Sequence, residues 1–271
     1  MRNVLKRVAY PMLKRINKFK NAHKNESCYL IGDGISVKYF DLNKFTDMIS
    51  IPCGYLPFHN DYDCLHVPYA TLIETYYFYP TTRVFSSRES DAGRILIFNY
   101  LQKEYRKIIK KYQTTEFFVN LSNYPVLFNE NITYTFRDIP DSSLGNDHIS
   151  KKFNCYAGSL RVQILLAIYM GFDHVYLVGH DYTHSPARSL HWYEKGKGLL
   201  TPMPEFSKDF LNYAKNFIDI TTITVDSGSD NLDFKTYQEH TGASPLFREN
   251  TELLDLHYLK ALSTWPVYEI F

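Results

Sequence analysis

Cysteine is scarce in this chain and is not arranged for crosslinking. Cys28, Cys53, Cys64 and Cys155 are scattered, with no Cys-x-x-Cys pair and no histidine at structural-zinc spacing. They read as reduced thiols of a cytoplasmic protein. Charge of one sign is lacking too: a formal net charge of +1 at pH 7 argues against a general nucleic-acid binder, which carries a basic excess over its whole domain. No run approaches the roughly 20 apolar residues of a membrane span, and the first residues lack the apolar core and small-residue cleavage site of a signal peptide. The expectation is a chain neither secreted nor membrane-spanning. Several catalytic signatures are also missing. Without His-Glu-x-x-His, Gly-x-Ser-x-Gly or a Gly-Lys-Ser/Thr ending, zinc peptidase, serine hydrolase and P-loop chemistry have no carrier.

Apolar and aromatic residues are plentiful. A hydrophobic fraction of 45% over 271 residues supports one sizeable α/β domain, and no linker divides it. The aromatic fraction of 16%, with 23 Tyr, fits a broad aromatic-lined cleft, although AT-rich codon usage would give the same enrichment. Basic charge is concentrated at the start. Arg2, Lys6, Arg7, Lys14, Arg15, Lys18, Lys20 and Lys24 all precede the first acidic residue, Glu26. Val4, Leu5, Val8, Met12, Leu13, Ile16 and Phe19 recur among them at near-helical spacing, interrupted by Pro11. Residues 1–25 therefore read as a basic amphipathic arm. It could lie on the inner face of an anionic cytoplasmic membrane, each base contributing about 1 kcal/mol, or pack on its own domain or on a second subunit of a homo-oligomer.

Residues 26–271 read as one Rossmann-like domain with a mostly parallel sheet. Strands are expected over 28–31, 48–52, 94–99, 116–121, 174–178 and 222–225, the last being the final strand. Helices are expected over 37–43, 100–113, 158–171, 204–217 and 233–240. The bases Lys103, Arg106, Lys107, Lys110 and Lys111 read as a solvated helix face. The stretch 182–204 has little apolar periodicity and follows a central strand closely, which predicts a mobile active-site lid.

Two strand-to-loop transitions carry the chemistry. In the first, Gly32-Asp33-Gly34-x-Ser36, glycines let backbone N–H groups approach a ligand and Ser36 is expected to cap a helix. It lacks the third glycine of the dinucleotide fingerprint, which weighs against hydride transfer. In the second, Gly179-His180-Asp181-Tyr182, the acid can accept both hydroxyls of a ribose and the glycine leaves room for a base. Beyond it His184, Arg188, His191 and Tyr193 gather an imidazole base, a guanidinium and phenols. Transfer from a nucleotide sugar needs such an inventory, a base for the acceptor hydroxyl and donors for the leaving phosphate. His180, His184 and His191 match no metal motif, and Asp61-x-Asp63, the one Asp-x-Asp in the chain, follows an early strand rather than a central one.

At these residues the chain resembles the bacterial sialyltransferases of glycosyltransferase family 42 and related proteins of capsule and lipopolysaccharide gene clusters. The resemblance lies in Tyr29-Leu-Ile-Gly-Asp-Gly-Ile-Ser-Val-Lys38, and in Ala157-Gly158 through Gly171-Phe-Asp-His-Val-Tyr-Leu-Val-Gly-His-Asp-Tyr182. It implies a single domain of the GT-A-variant type. The implied activity is inverting, metal-independent transfer of a nonulosonic acid or Kdo from a CMP-activated donor to a hydroxyl of a bacterial surface glycan. Gly32, Asp33, Gly34 and Ser36 with Ala157, Gly158 and Ser159 would lie near the donor; Gly179, His180 and Asp181 would hold the cytidine ribose. Tyr182 and Tyr193 would bind phosphate with Arg188, and His191, with His184 second, would be the base. The resemblance implies no cofactor beyond the donor substrate. Asp33 stands where the family has Asn, an anion beside an anionic donor unless it is protonated, paired with Lys38 or turned toward a hydroxyl. Two other functions fit a similar core: Mg-dependent pyrophosphotransfer of the pterin diphosphokinase type, and non-catalytic nucleotide binding.

Overall fold

The computed structural model describes residues 9–79, 92–135, 158–202, 208–226 and 228–262. Five parallel strands form the centre: β1 (Ser27–Ile31), β2 (Ile49–Pro52), β6 (His174–Val178), β9 (Asp219–Thr224) and β10 (Asp233–Thr236), in the order β10-β9-β6-β1-β2. Three more, β3 (Tyr69–Leu72), β4 (Glu116–Asn120) and β5 (Ile132–Thr135), form a second parallel sheet. The two meet at a parallel bridge between Cys53 and Thr71. A two-stranded antiparallel pair, β7 (Ala187–Arg188) and β8 (Leu200–Thr201), lies outside them. The fold is α/β, Rossmann-like, with a mostly parallel sheet.

Strand order decides where a ligand can sit. From β1 the chain steps to β2 on one side and later returns to β6 on the other. Connections therefore diverge at the carboxyl ends of β1 and β6 and leave a crevice, the usual ligand position in an open parallel sheet. Both strand-to-loop transitions read in the sequence end there.

The centre is buried on both faces. Cys28, Leu30, Val175, Leu177 and Ile220 pack against α2 (Ser159–Met170) and α3 (Lys208–Ala214), while Tyr29, Ile31, Val178 and Ile223 face Phe40, Phe45 and Tyr237. Helix α2 buries most of its residues rather than one stripe, each large apolar side chain being worth about 1.5–3 kcal/mol. Gly171 ends it in the left-handed region, its N–H bonded to the carbonyls of Ala167 and Ile168. Gln163, wholly buried within it, donates to the carbonyl of Ile51 at 2.6 Å and of Ile31 at 3.3 Å, tying the helix to the strand ends that border the crevice.

Three sequence expectations change. The expected strand over 94–99 lies inside α1 (Ala92–Lys111). A short apolar run suits either state, and here no proline or glycine separates it from the helical pattern of Leu101, Tyr105, Ile108 and Ile109. Lys103, Lys107, Lys110 and Lys111 on that helix are exposed, as a solvated face requires, but Arg106 is half-buried, donating to the Phe78 carbonyl at 3.0 Å over the Phe78 ring. The expected helix over 233–240 begins as the edge strand β10, and α4 (Tyr237–Thr241) starts only at the capping box formed by Thr236 and Glu239. Strand 222–225 is accordingly not the last. Over 37–43 the helix is broken into 3-10 turns, Ile35–Tyr39 and Leu42–Lys44.

The arm from residue 9 onward is part of the domain. Ile16 and Phe19 are in the core, and the bases Arg15 and Lys18 both pair with Glu116 on β4. Asn21 and His23 donate backbone N–H to the carbonyls of Tyr169 and Met170. Its apolar side is thus used internally; residues 1–8 lie outside the described residues. Among the described residues no helix is long and apolar enough to cross a membrane.

Candidate functional site

The floor of the crevice is made by the two glycine loops gripping each other. Gly32 donates its N–H to the Val178 carbonyl at 2.8 Å and Gly34 to the Gly179 carbonyl at 2.7 Å. A β-carbon on Gly34 would lie 2.0 Å from the Asp181 carboxylate and 2.6 Å from the Gly179 carbonyl oxygen. Gly179 has φ +68°, and a β-carbon there would strike Val37 at 2.6 Å. The glycines are needed for this contact, and the N–H groups of Gly32 and Gly34, expected to meet a donor phosphate, already have protein acceptors.

Asp181 completes the grip. It is 1% exposed, and its Oδ2 accepts from the backbone N–H of Ser36 at 3.0 Å and from the Ser36 hydroxyl at 2.8 Å. Ser36 therefore does not cap a helix: Gly34 holds the N-cap position, and the capping acceptor arrives from Asp181, distant in sequence. Burial raises the Asp181 carboxyl above its ordinary value, while His184 and the Ser36 bonds favour the anion. His180 packs its ring beside Gly32; burial and then His184 push its imidazole down to about 3, so it is neutral. His184 is turned toward Thr222 on β9, 3.5 Å away, and burial lowers it as well.

Above this floor runs the segment expected as a lid. Residues 190–196 of it are anchored at the crevice, with Trp192 fully buried, while Leu199 and Leu200 are exposed. His191 forms an antiparallel bridge with Gly34, Ile35 donates to the Leu190 carbonyl at 3.2 Å, and the Trp192 backbone N–H donates to the Asp33 carbonyl at 3.1 Å. The Trp192 indole N–H donates to Asp33 Oδ1 at 3.0 Å, and the Tyr55 N–H reaches Asp33 Oδ2 at 2.8 Å and Oδ1 at 3.1 Å. Desolvation outweighs these bonds and the nearby His191, and the Asp33 carboxyl rises to about 6. Lys38 is not its partner. Wholly buried, Lys38 donates to the Glu249 carboxylate and to the carbonyls of Glu194 and, at 3.1 Å, Gly196. It thereby clamps the turn that carries His191.

His191 is held in this layer by a carboxylate and two aromatic rings. Its Nδ1 lies 2.8 Å from Glu194 Oε2, its ring stacks on Tyr193 at 5.2 Å with 11° between planes, and the Tyr182 ring is 5.6 Å away. Tyr182 is half-buried, and desolvation, aided by Glu194, pushes its phenol up to about 12. Behind Tyr193 an aromatic wall continues through Tyr55 at 5.1 Å to Tyr105, which also contacts Phe58 and Tyr77.

The structure therefore brings Asp33, Tyr182 and His191 together over the Gly32–Gly34 and Gly179–Asp181 floor, with Tyr193, 3% exposed, packed in the core behind the His191 ring. Arg188, its side chain 14% exposed, donates to Asp226 at 3.1 Å, lies over the Tyr39 ring and is close enough to Asp181 and His184 to act on both electrostatically. Gly158 and Ser159 are at the start of α2; Ala157 lies outside the described residues. Because Gln163 reaches the carboxyl ends of β1 and β2, the first turn of α2 faces the same edge of the sheet. Sequence reasoning missed Glu194, Trp192, Tyr55 and the clamp between Lys38 and Glu249. Only Glu194 had a local signal, a carboxylate three residues beyond a histidine. Asp61 pairs with Arg248 and Asp63 with Lys111, so the acidic pair is turned to separate cations. Among the described residues no group of three or more histidine, cysteine or carboxylate side chains is gathered to hold a metal.

No protein-family model matches the chain, and no curated protein matches it. Among solved structures it is similar to the MAf glycosyltransferase from Magnetospirillum magneticum AMB-1, at 12% identity and a TM-score of 0.44 over 94% of this chain and 41% of that one. It is also similar to the sialyltransferase CstII from Campylobacter jejuni in complex with the substrate analogue CMP-3FNeuAc, at 14% identity and a TM-score of 0.39, covering 85% of this chain and 95% of that one. For CstII with cytidine-5'-monophosphate the values are 15% and 0.40, covering 86% and 94%. The chain spans about two fifths of the length of the first of these.

Proposed function

We propose that this chain is an inverting, metal-independent glycosyltransferase that moves a nonulosonic acid or Kdo from a CMP-activated donor to a hydroxyl of a bacterial surface glycan. The observation that carries the reading is the gathering of an imidazole and two phenols, His191, Tyr182 and Tyr193, over the crevice where strand order reverses. A base for the acceptor hydroxyl and hydroxyl donors for the departing phosphate are what this transfer requires when no cation assists.

In this reading His191 takes the acceptor proton, and the phenols of Tyr182 and Tyr193 donate to the phosphate as it leaves. The N–H groups of Gly32 and Gly34 are engaged within the floor, so the phosphate is assigned to the first turn of α2 at Gly158 and Ser159, whose dipole favours an anion. Asp181, committed to Ser36, holds the floor together, and the ribose is assigned to the crevice beside Gly179 and His180.

The test is a His191→Ala variant assayed for CMP release from CMP-sialic acid and CMP-Kdo, alongside thermal shifts with CMP. A ligand at 100 times its Kd stabilises a fold by about 2.7 kcal/mol. The variant is expected to keep the CMP-induced shift and lose at least about 100-fold in transfer. Undiminished transfer rejects the base assignment; absence of any cytidine-nucleotide shift in the wild type rejects the donor class.

A further inference from the structure

Glu194 is used neither by the resemblance nor by the reading above, yet it is in direct side-chain contact with the candidate base. Its Oε2 lies 2.8 Å from His191 Nδ1 and accepts the His191 backbone N–H at 2.6 Å. Both side chains are largely shielded, 16% exposed for His191 and 18% for Glu194. The turn between them is closed by the Glu194 N–H donating to the His191 carbonyl at 3.0 Å. It is held from beneath by Lys38, which donates to the Glu194 carbonyl, and from the side by Glu249, which accepts the Gly196 N–H at 3.3 Å. Stacking on Tyr193 sets the ring plane.

We propose that Glu194 is the positioning residue of His191, holding its imidazole as the Nδ1–H tautomer so that Nε2 is the proton-accepting nitrogen. This rests on the transferase reading for its use, but the chemistry is local. An ionised carboxylate has no proton to give, so the Nδ1 contact is a hydrogen bond only if Nδ1 carries the proton, and the other ring nitrogen is then the basic one. In the transfer step the acceptor O–H bond breaks and its proton moves to Nε2. The acceptor oxygen forms its bond to the anomeric carbon, and the bond from that carbon to the phosphate oxygen breaks, CMP leaving with the electron pair. The ring becomes an imidazolium facing two acids, Glu194 across Nδ1 and Asp33 from the neighbouring loop, with the phenols of Tyr182 and Tyr193 beside it. Glu194 thus both selects the reactive nitrogen and offsets the charge that develops on the ring.

The deciding variant is Glu194→Gln, whose amide oxygen can still accept both His191 N–H groups and so preserves a purely structural role. Ring ¹⁵N NMR of the wild type, with His191 assigned by its loss in His191→Gln, is expected to show protonation at Nδ1. Glu194→Gln is expected to lower kcat by about 10- to 100-fold while the CMP dissociation constant stays within about twofold. A wild-type ring protonated at Nε2 overturns the proposal whatever the activity, and so does a Glu194→Gln enzyme with wild-type kcat. If no CMP-sugar turns over, the transferase reading fails while the ring spectrum still decides the pairing.

Discussion

Asp33→Asn should stabilise the protein at neutral and alkaline pH and remove one contribution to its pH dependence. In the folded chain the Asp33 carboxyl sits at about 6 rather than its ordinary 3.8, because desolvation outweighs the Tyr55 and Trp192 donors. The folded state therefore holds this proton to higher pH than the unfolded chain does. Between about pH 4 and pH 6 the folded state binds more protons, so stability falls as pH rises through that window and this contribution is flat above it. At about 1.36 kcal/mol for each tenfold change in the proton equilibrium, keeping the anion folded at pH 8 costs about 3 kcal/mol at most, and the partial exposure of Asp33 lowers this to about 1–2 kcal/mol. Asparagine keeps Oδ1 as acceptor for the Trp192 indole nitrogen at 3.0 Å and the Tyr55 nitrogen at 3.1 Å, but its amide nitrogen replaces the Oδ2 that the Tyr55 N–H reaches at 2.8 Å, which places the gain at the lower end of that range. Urea unfolding of wild type and variant at pH 4.5 and pH 8 measures the effect. The expected result is a higher midpoint for Asp33→Asn at pH 8, a difference reduced to about a third at pH 4.5 and an unchanged m-value. A variant less stable than wild type at pH 8 would mean that the Asp33 anion is a net stabiliser and would refute the reasoning.

Gly34→Ala forces a β-carbon against Asp181 and the Gly179 backbone and should destabilise the fold by about 3 kcal/mol, read as a lowered melting temperature; a variant within 1 kcal/mol of wild type would show that the two loops can separate freely. Transfer from a CMP-sugar should persist in excess EDTA, and activity restored only by Mg²⁺ would favour a pyrophosphotransfer enzyme.

Much of the sheet was readable in the sequence because strands β1, β2, β4 and β6 are apolar runs bounded by glycine, proline or charge, and α2 combines a glycine stop with an uninterrupted apolar run. Two misreadings have physical causes. The apolar start of α1 suits both helix and strand, and only its continuity with the following turns decides. Asp233-Phe-Lys-Thr236 is an edge strand with charged, exposed side chains, a composition that discourages further strand pairing and looks nothing like a core strand. At the site, the glycine positions were legible but their purpose was not. They look like ligand loops in sequence, whereas Gly34 and Gly179 are small because each loop occupies the space beside the other. Asp33 was expected near the donor, and its actual partner, the Trp192 indole, is a contact between segments far apart in the chain. The bonds of Lys38 to Glu249 and of Asp181 to Ser36 are equally non-local, and no local pattern encodes them. Glu194 belongs to the opposite class: three residues from His191, it lies at a spacing that sequence alone shows.

The interlocked floor also constrains when a working site can first exist. Strand β1 is the first strand made, yet its neighbour across the crevice is β6, and the Asp181–Ser36 bonds span 145 residues. Contacts of such separation form late, because the loop between them must close first. During synthesis the N-terminal half can pair β1 with β2, but its glycine loop has nothing to rest on until residues 174–194 have emerged. A fragment ending before β6 should lack the crevice altogether, and a chain interrupted between Asp181 and β7 should hold the floor but not His191 above it.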